Sequence, residues 1–301
     1  MKRFVRLGVW FVLVFSSMAA RAHPGSGIVV DRSGRIYFVD TGVGVWTIDT
    51  QGRLARHEGE AFHWLAIDRR GGLSARDMPR DAGGELPVIG RDPTLILSSD
   101  FPIAVGPDGV FYYPRAVGDR VRIMRLRPGE KPEVFAMLPP VLEVDSSGRE
   151  KAVPWIHGLA AAADGSLYYS ELAAVRRIAP DGKIAVVADK VKVPSCDRPP
   201  AAKDEHLGPA LRGLDVRPDG TVFVAASACG TVLRIAPDGT TSVALRTEGV
   251  WSPTAVVLAG EDLLVLEYWS VKATTRQAWI PRVRKLSGDG KVTLLATVER
   301  R

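Results

Sequence analysis

Cysteine is nearly absent from this chain of 301 residues, with two in all. That count excludes a disulfide-dense scaffold and a four-cysteine zinc framework, and leaves room for one bridge. Long apolar runs are also scarce. The run at residues 7–15 falls short of the roughly 20 residues needed to span a bilayer. The repeated segments lack a sustained 3.6-residue apolar period, which argues against a helical fold. A Gly-rich phosphate loop, a nucleophile elbow, a zinc-protease helix and a Cys-x-x-Cys pair are missing too.

The positive charge is unevenly placed. Forty Lys and Arg against 34 Asp and Glu give +6, but Lys2, Arg3, Arg6 and Arg21 all lie in residues 1–22, which contain no acid. That segment, MKRFVRLGVWFVLVFSSMAARA, has the basic start, apolar run and A-x-A ending of a secretory signal peptide cleaved after Ala22. Residues 23–301 then carry 36 basic and 34 acidic side chains, and no nucleic-acid partner is expected. The expected product is exported, periplasmic or extracellular, with no stable membrane span, in a compartment where disulfides persist. Cleavage there would leave His23 as the N-terminus, whose amine and imidazole together suit Cu²⁺; any cleavage site exposes some residue, so this carries little weight.

A repeat runs through the rest. A short x-Gly, x-Pro or x-bulky start followed by alternating apolars occurs as SGIVVD at Ser26, HWLAID at His63, FPIAVG at Phe101, HGLAAA at His157, RGLDVR at Arg212 and SPTAVV at Ser252. Four of these lead through an Asp-Gly or Ser-Gly turn into an aromatic or β-branched strand, as in DRSGRIYFVD and RPDGTVFVAA. A third strand and another turn follow, as in VRRIAPDG and VLRIAPDG. Asp-Gly between alternating runs marks hairpins. Six repeats over residues 23–301, about 46 residues each, predict an all-β, six-bladed β-propeller of four-stranded antiparallel blades. The second repeat loses the pattern after Asp68.

The register gathers particular residues at one mouth of the central channel. First-strand starts bring Ser26, His63, Phe101, His157, Arg212 and Ser252; second-strand ends bring Asp40, Pro114, Glu171, Ala226 and Glu267. The starts are spaced 37, 38, 56, 55 and 40 residues apart, so extra length at 138–155 and 190–211 joins that mouth, as does 268–280. Long loops collected on one face commonly carry function. Cys196 and Cys229 fall on neighbouring elements there and are expected to pair.

The GIVVDRSGRIYFVD and RGLDVRPDGTVFVA segments resemble NHL-type repeats, and the wider pattern resembles the calcium-dependent lactonase superfamily of gluconolactonase-like and paraoxonase-like propellers. The resemblance implies a divalent metal held by acidic and amide side chains, some just before the first strands. This chain departs from that pattern, because Arg212 stands at one such position and repels a cation.

WIHGLAAA resembles the strand start where paraoxonase-like enzymes place a mouth histidine, and LYYSE resembles the strand-end glutamate of virginiamycin B lyase repeats. By that resemblance His157 is a general base, with Glu171, Glu267 and Asp40 as ligands for Ca²⁺ or Mg²⁺. His63 and Arg212 are further catalytic candidates, Arg212 for a substrate carboxylate or phosphate. Blander roles stay open: Asp40 as a turn cap, Arg212 as the ion-pair partner of Glu171, and the histidines as hydrogen-bonded channel residues.

Trp155, Tyr268, Trp269 and Trp279 lie in or beside the insertions, as a stacking wall or as core. The expected activity is metal-assisted hydrolysis of a lactone or cyclic ester, or a related elimination, on a small-molecule substrate. The alternative is a non-enzymatic propeller binding a protein or glycan at the channel mouth.

Overall fold

The computed structural model describes residues 24–144, 148–194, 196, 209–269 and 275–300. The signal segment and His23 lie outside them, as does most of the 190–211 insertion. Each blade is built from consecutive strands. Blade 1 comprises Ile28–Val30, Ile36–Asp40, Gly44–Ile48 and Leu54–Arg56, paired in chain order. Blades 3, 4, 5 and 6 repeat that order with inner strands Ala104–Val105, Gly158–Ala161, Leu211–Val216 and Trp251–Ala259.

Blade 2 departs from the expected four strands. It has three, Trp64–Asp68, Thr94–Ser98 and the two-residue Val88–Ile89, with Thr94–Ser98 in the middle. Asp68 ends its inner strand by accepting N–H groups from Arg70 and Leu73, each at 2.8 Å, which turns the chain away from a hairpin.

The Asp-Gly turns work as their residues require. At Gly109, Gly165, Gly220 and Gly239, φ is 80–85° and the glycine N–H bonds to the carbonyl three residues back. The preceding aspartate accepts the N–H two residues on, at 2.8 Å for Asp219 to Thr221 and 2.9 Å for Asp238 to Thr240. These turns lie on the face opposite the mouth.

The glycines at strand starts have a different cause. A Cβ on Gly27 would sit 2.6 Å from the Leu65 nitrogen, and one on Gly213 would sit 2.6 Å from the Ala255 Cβ, both on the next blade's inner strand. Omitting the side chain lets the inner strands close around the channel. Between blades the faces are apolar, and Tyr37, Tyr113, Tyr169 and Tyr268 are fully buried there. Each such burial contributes on the order of 2–3 kcal/mol.

Among the described residues no blade is shared between the two ends of the chain, and blades 1 and 6 each pair only their own strands. Side chains make the joint instead. The Tyr268 hydroxyl donates to Val39 O at 2.6 Å and accepts from the Thr41 backbone N–H and hydroxyl at 3.3 Å. Burial pushes its pKa up, which keeps it the neutral donor the joint needs. Arg300 then forks onto Asp40 at 2.6 and 2.7 Å and reaches Trp279 O at 2.5 Å.

Candidate functional site at the channel mouth

The extra chain between blades 3 and 4 forms a hairpin, Val141–Val144 paired with Glu150–Val153. It places Glu143 over the start of blade 4's inner strand. Glu143 is buried, and its Oε1 accepts from Trp155 Nε1 at 2.8 Å and meets His157 Nε2 at 3.1 Å. Indole N–H can only donate, so Trp155 marks this oxygen as an acceptor. The His157 Nε2 therefore carries a hydrogen, and the neutral ring's lone pair falls on Nδ1. The backbone is fixed as well, His157 N–H bonding to Ser170 O at 2.9 Å. His157 keeps 18% of its side chain exposed, so solvent or a ligand reaches the ring.

Glu143 is the functional candidate that the sequence reading missed. Its only signal was an acid within an insertion already assigned to the mouth.

The carboxylates expected as metal ligands are engaged otherwise. Glu171 binds Arg176 at 2.7 Å, not Arg212. Glu267 is held by Arg282 at 2.6 Å and Arg284 at 2.5 Å. Asp40 is gripped by Arg300 and accepts the Gly42 N–H at 3.0 Å, in keeping with the capping alternative. Among the described residues no group of three or more His, Cys, Asp or Glu is arranged to hold a metal ion. The physical reason is direct: forked guanidinium groups neutralise these carboxylates and use the lone pairs a cation would need. The donor set as arranged does not fit Ca²⁺ or Mg²⁺.

His63 is buried at the start of blade 2, its Nδ1 2.6 Å from Ser99 O. Arg212 lies at the equivalent place in blade 5 and donates to Pro24 O at 3.3 Å. Cys196 and Cys229 form a disulfide, Cα to Cα 4.9 Å, tying the 190–211 insertion to the mouth end of blade 5. The aromatics divide: Tyr268 and Trp279 are core, while Trp155 and Trp269 are exposed at 43% and 42%. Trp269 packs near Trp251, over which Arg282 stacks at 4.0 Å. Two cavities lie elsewhere, about 250 Å³ between the turns at Gly106–Asp108 and Ala161–Gly165 on the far face, and about 430 Å³ beside Met78–Arg80 and Gly84–Pro87.

Fold and site together define a six-bladed β-propeller with a histidine–carboxylate pair at one channel mouth. Among solved structures the chain is similar to virginiamycin B lyase from Staphylococcus aureus, at 15% identity over 92% of this chain and 85% of that one, TM-score 0.51. It is likewise similar to a luciferin-regenerating enzyme, at 13% identity over 89% and 92%, TM-score 0.53. The calcium-binding protein regucalcin from Agrobacterium tumefaciens strain C58 matches at 15% identity over 80% and 81%, TM-score 0.50. At these identities the shared property is the fold. No family model and no curated protein matches the chain.

Proposed function

We propose that the protein is exported and acts on a small molecule at the channel mouth, opening a lactone or cyclic ester by proton transfer through His157. The observation that carries this is the His157–Glu143–Trp155 arrangement, in which a buried carboxylate orients a partly exposed imidazole. In hydrolysis, His157 Nδ1 takes a proton from water as the oxygen bonds to the ester carbonyl carbon. When the ring C–O bond breaks, the imidazolium returns the proton to the departing alkoxide. In elimination, Nδ1 takes a carbon-bound proton and the ester oxygen leaves. Glu143 positions the ring, and Arg212 is placed to bind an anionic group of the substrate. His63 is too enclosed to serve as the base.

Asp40, Glu171 and Glu267 are each held by an arginine, and the proposed step uses this chain's own groups. Export rests on the signal-like segment and is supported by the disulfide. Among the described residues no helix is long and apolar enough to cross a membrane. The test is a panel of lactones and cyclic esters assayed with and without a chelator. Turnover that survives chelation is expected; no turnover of any member, or turnover abolished by chelation and restored by Ca²⁺ or Mg²⁺, contradicts the proposal.

A second reading is favoured by the exposed Trp155 and Trp269 on the mouth rim. Aromatic faces in that position suit a glycan or protein ligand bound without chemistry. Under that reading His157→Ala leaves ligand binding intact and there is no turnover to lose.

A further inference from the structure

The face opposite the mouth carries the cavity of about 250 Å³ between the turns that follow the inner strands of blades 3 and 4. It arises where one repeat lacks a side chain that another has. Val29 pairs with Tyr37 in blade 1, Ala104 with Tyr112 in blade 3 and Asp215 with Phe223 in blade 5, so Asp31, Gly106 and Arg217 share one position two residues on. In blade 1 that position serves the tyrosine, whose hydroxyl donates to Asp31 Oδ2 at 3.3 Å. In blade 3 the glycine leaves it open.

Two polar groups border this open space. A Cβ on Gly106 would lie 2.5 Å from Asp108 Oδ1 and 3.6 Å from Tyr112 Cε2, so the carboxylate and the phenol ring flank the same point. Tyr112 is 5% exposed and lines the cavity, and its hydroxyl has no hydrogen-bond partner among the described residues. Burial, and then the charge of Asp108, push its pKa up, so the hydroxyl keeps its hydrogen. Phe223 fills the same place in blade 5, which shows that packing there does not require the hydroxyl. Asp108 accepts the Val110 N–H at 3.2 Å and meets no cation among the described residues, whereas Asp164 across the cavity is bonded to Ser166 and Arg177. Arg70 holds the blade 3 turn from outside by donating to Pro107 O at 2.7 Å.

The cavity therefore sets an unused donor beside an acceptor with capacity to spare. An ammonium group only donates and leaves the Tyr112 hydrogen unmatched, and a carboxylate only accepts and is repelled by Asp108. An alcohol hydroxyl does both. The volume lies below the roughly 300–1,000 Å³ of sites for drug-sized ligands, which limits the occupant to about one ring. We propose that this cavity binds a neutral sugar residue, one hydroxyl of which accepts from Tyr112 and donates to Asp108. Pro107, Ala161 and Ala162 supply an apolar wall for its C–H groups. The site is on the opposite face from His157 and stands independently of the chemistry there.

The probe is D-glucose, titrated at millimolar concentrations into the full chain and followed by saturation-transfer NMR, with n-butylammonium chloride and sodium acetate as charged comparisons. Glucose should bind saturably and more tightly than either ion. Tyr112→Phe should weaken its binding several-fold, as should Asp108→Asn, which keeps an oxygen to cap the turn. Tyr112→Phe should also leave the melting temperature unchanged, because the hydroxyl has no protein partner to lose. The double variant Gly106→Asp with Asp108→Ser copies Asp31 and Ser33 of blade 1, gives Tyr112 an internal partner and should abolish binding. No saturable binding of glucose, tighter binding of either ion, or unchanged glucose affinity in any of these variants overturns the proposal.

Discussion

Three mouth carboxylates meet arginines, and this changes what they can do. Glu171 with Arg176 and Glu267 with Arg282 follow one rule, an acid at the end of the second strand bonded to an arginine on the third. Blade 1 has no arginine on Gly44–Ile48, and Asp40 takes Arg300 from 260 residues away. The sequence placed the acids correctly at strand ends. It also contained Arg176 and Arg282, but a strand-to-strand partner becomes visible only once register is considered beside residue type. The Arg300 contact had no local signal at all.

Asp40 is fully buried while Arg300 keeps 21% of its side chain exposed, so removing the arginine strands a carboxylate inside the protein. Arg300→Ala is expected to cost about 3 kcal/mol in urea unfolding, from the penalty of an unpaired buried charge. A loss below about 0.5 kcal/mol, typical of an exposed pair, contradicts that role.

At the scale of elements, the hairpins were the most legible feature, because Asp-Gly states both the turn and the hydrogen bond that closes it. The turn aspartates also give stability a pH dependence. Backbone N–H donation by Thr221 lowers the Asp219 pKa from its usual 3.8, donation by Thr240 lowers that of Asp238, and donation by Arg53 lowers that of Asp49. A lowered folded value stabilises above the unfolded pKa and is lost as pH falls through the folded one. Asp215 has the opposite sign. Burial raises its pKa, so its contribution is fully present below 3.8 and is lost as pH rises through its folded value. Melting temperature should therefore fall on acidification below about pH 4, while above about pH 4 the uptake of a proton by Asp215 should raise it as pH falls, a gain that Asp215→Asn lacks. An equal gain on acidification from neutrality to about pH 4 in that variant contradicts the sign assigned to Asp215.

Two elements escaped sequence reading. Blade 2 abandons the repeat after Asp68, where side-chain caps replace the turn and leave no periodicity to follow. The hairpin carrying Glu143 was visible as extra length, but its contact with His157 depends on how an insertion folds back over a neighbouring blade.

At the scale of the molecule, the repeat contained nearly the whole architecture: the blade count, the alternation of faces and the mouth where insertions gather. Ring closure was not contained in it, because the joint is made by Tyr268, Thr41, Asp40 and Arg300 in place of a shared blade. The Cys196–Cys229 bridge agrees with the register that placed both cysteines at the mouth. The mouth thus combines a sealed ring, arginine-saturated acids and one imidazole oriented by a buried carboxylate. The central claim is that this imidazole moves the proton. Its most direct test is the turnover rate of His157→Ala against wild type on whichever cyclic ester the panel identifies, with folding checked by melting temperature. A loss of about 10²-fold or more at an unchanged melting temperature is predicted, and equal turnover by the two proteins contradicts the claim.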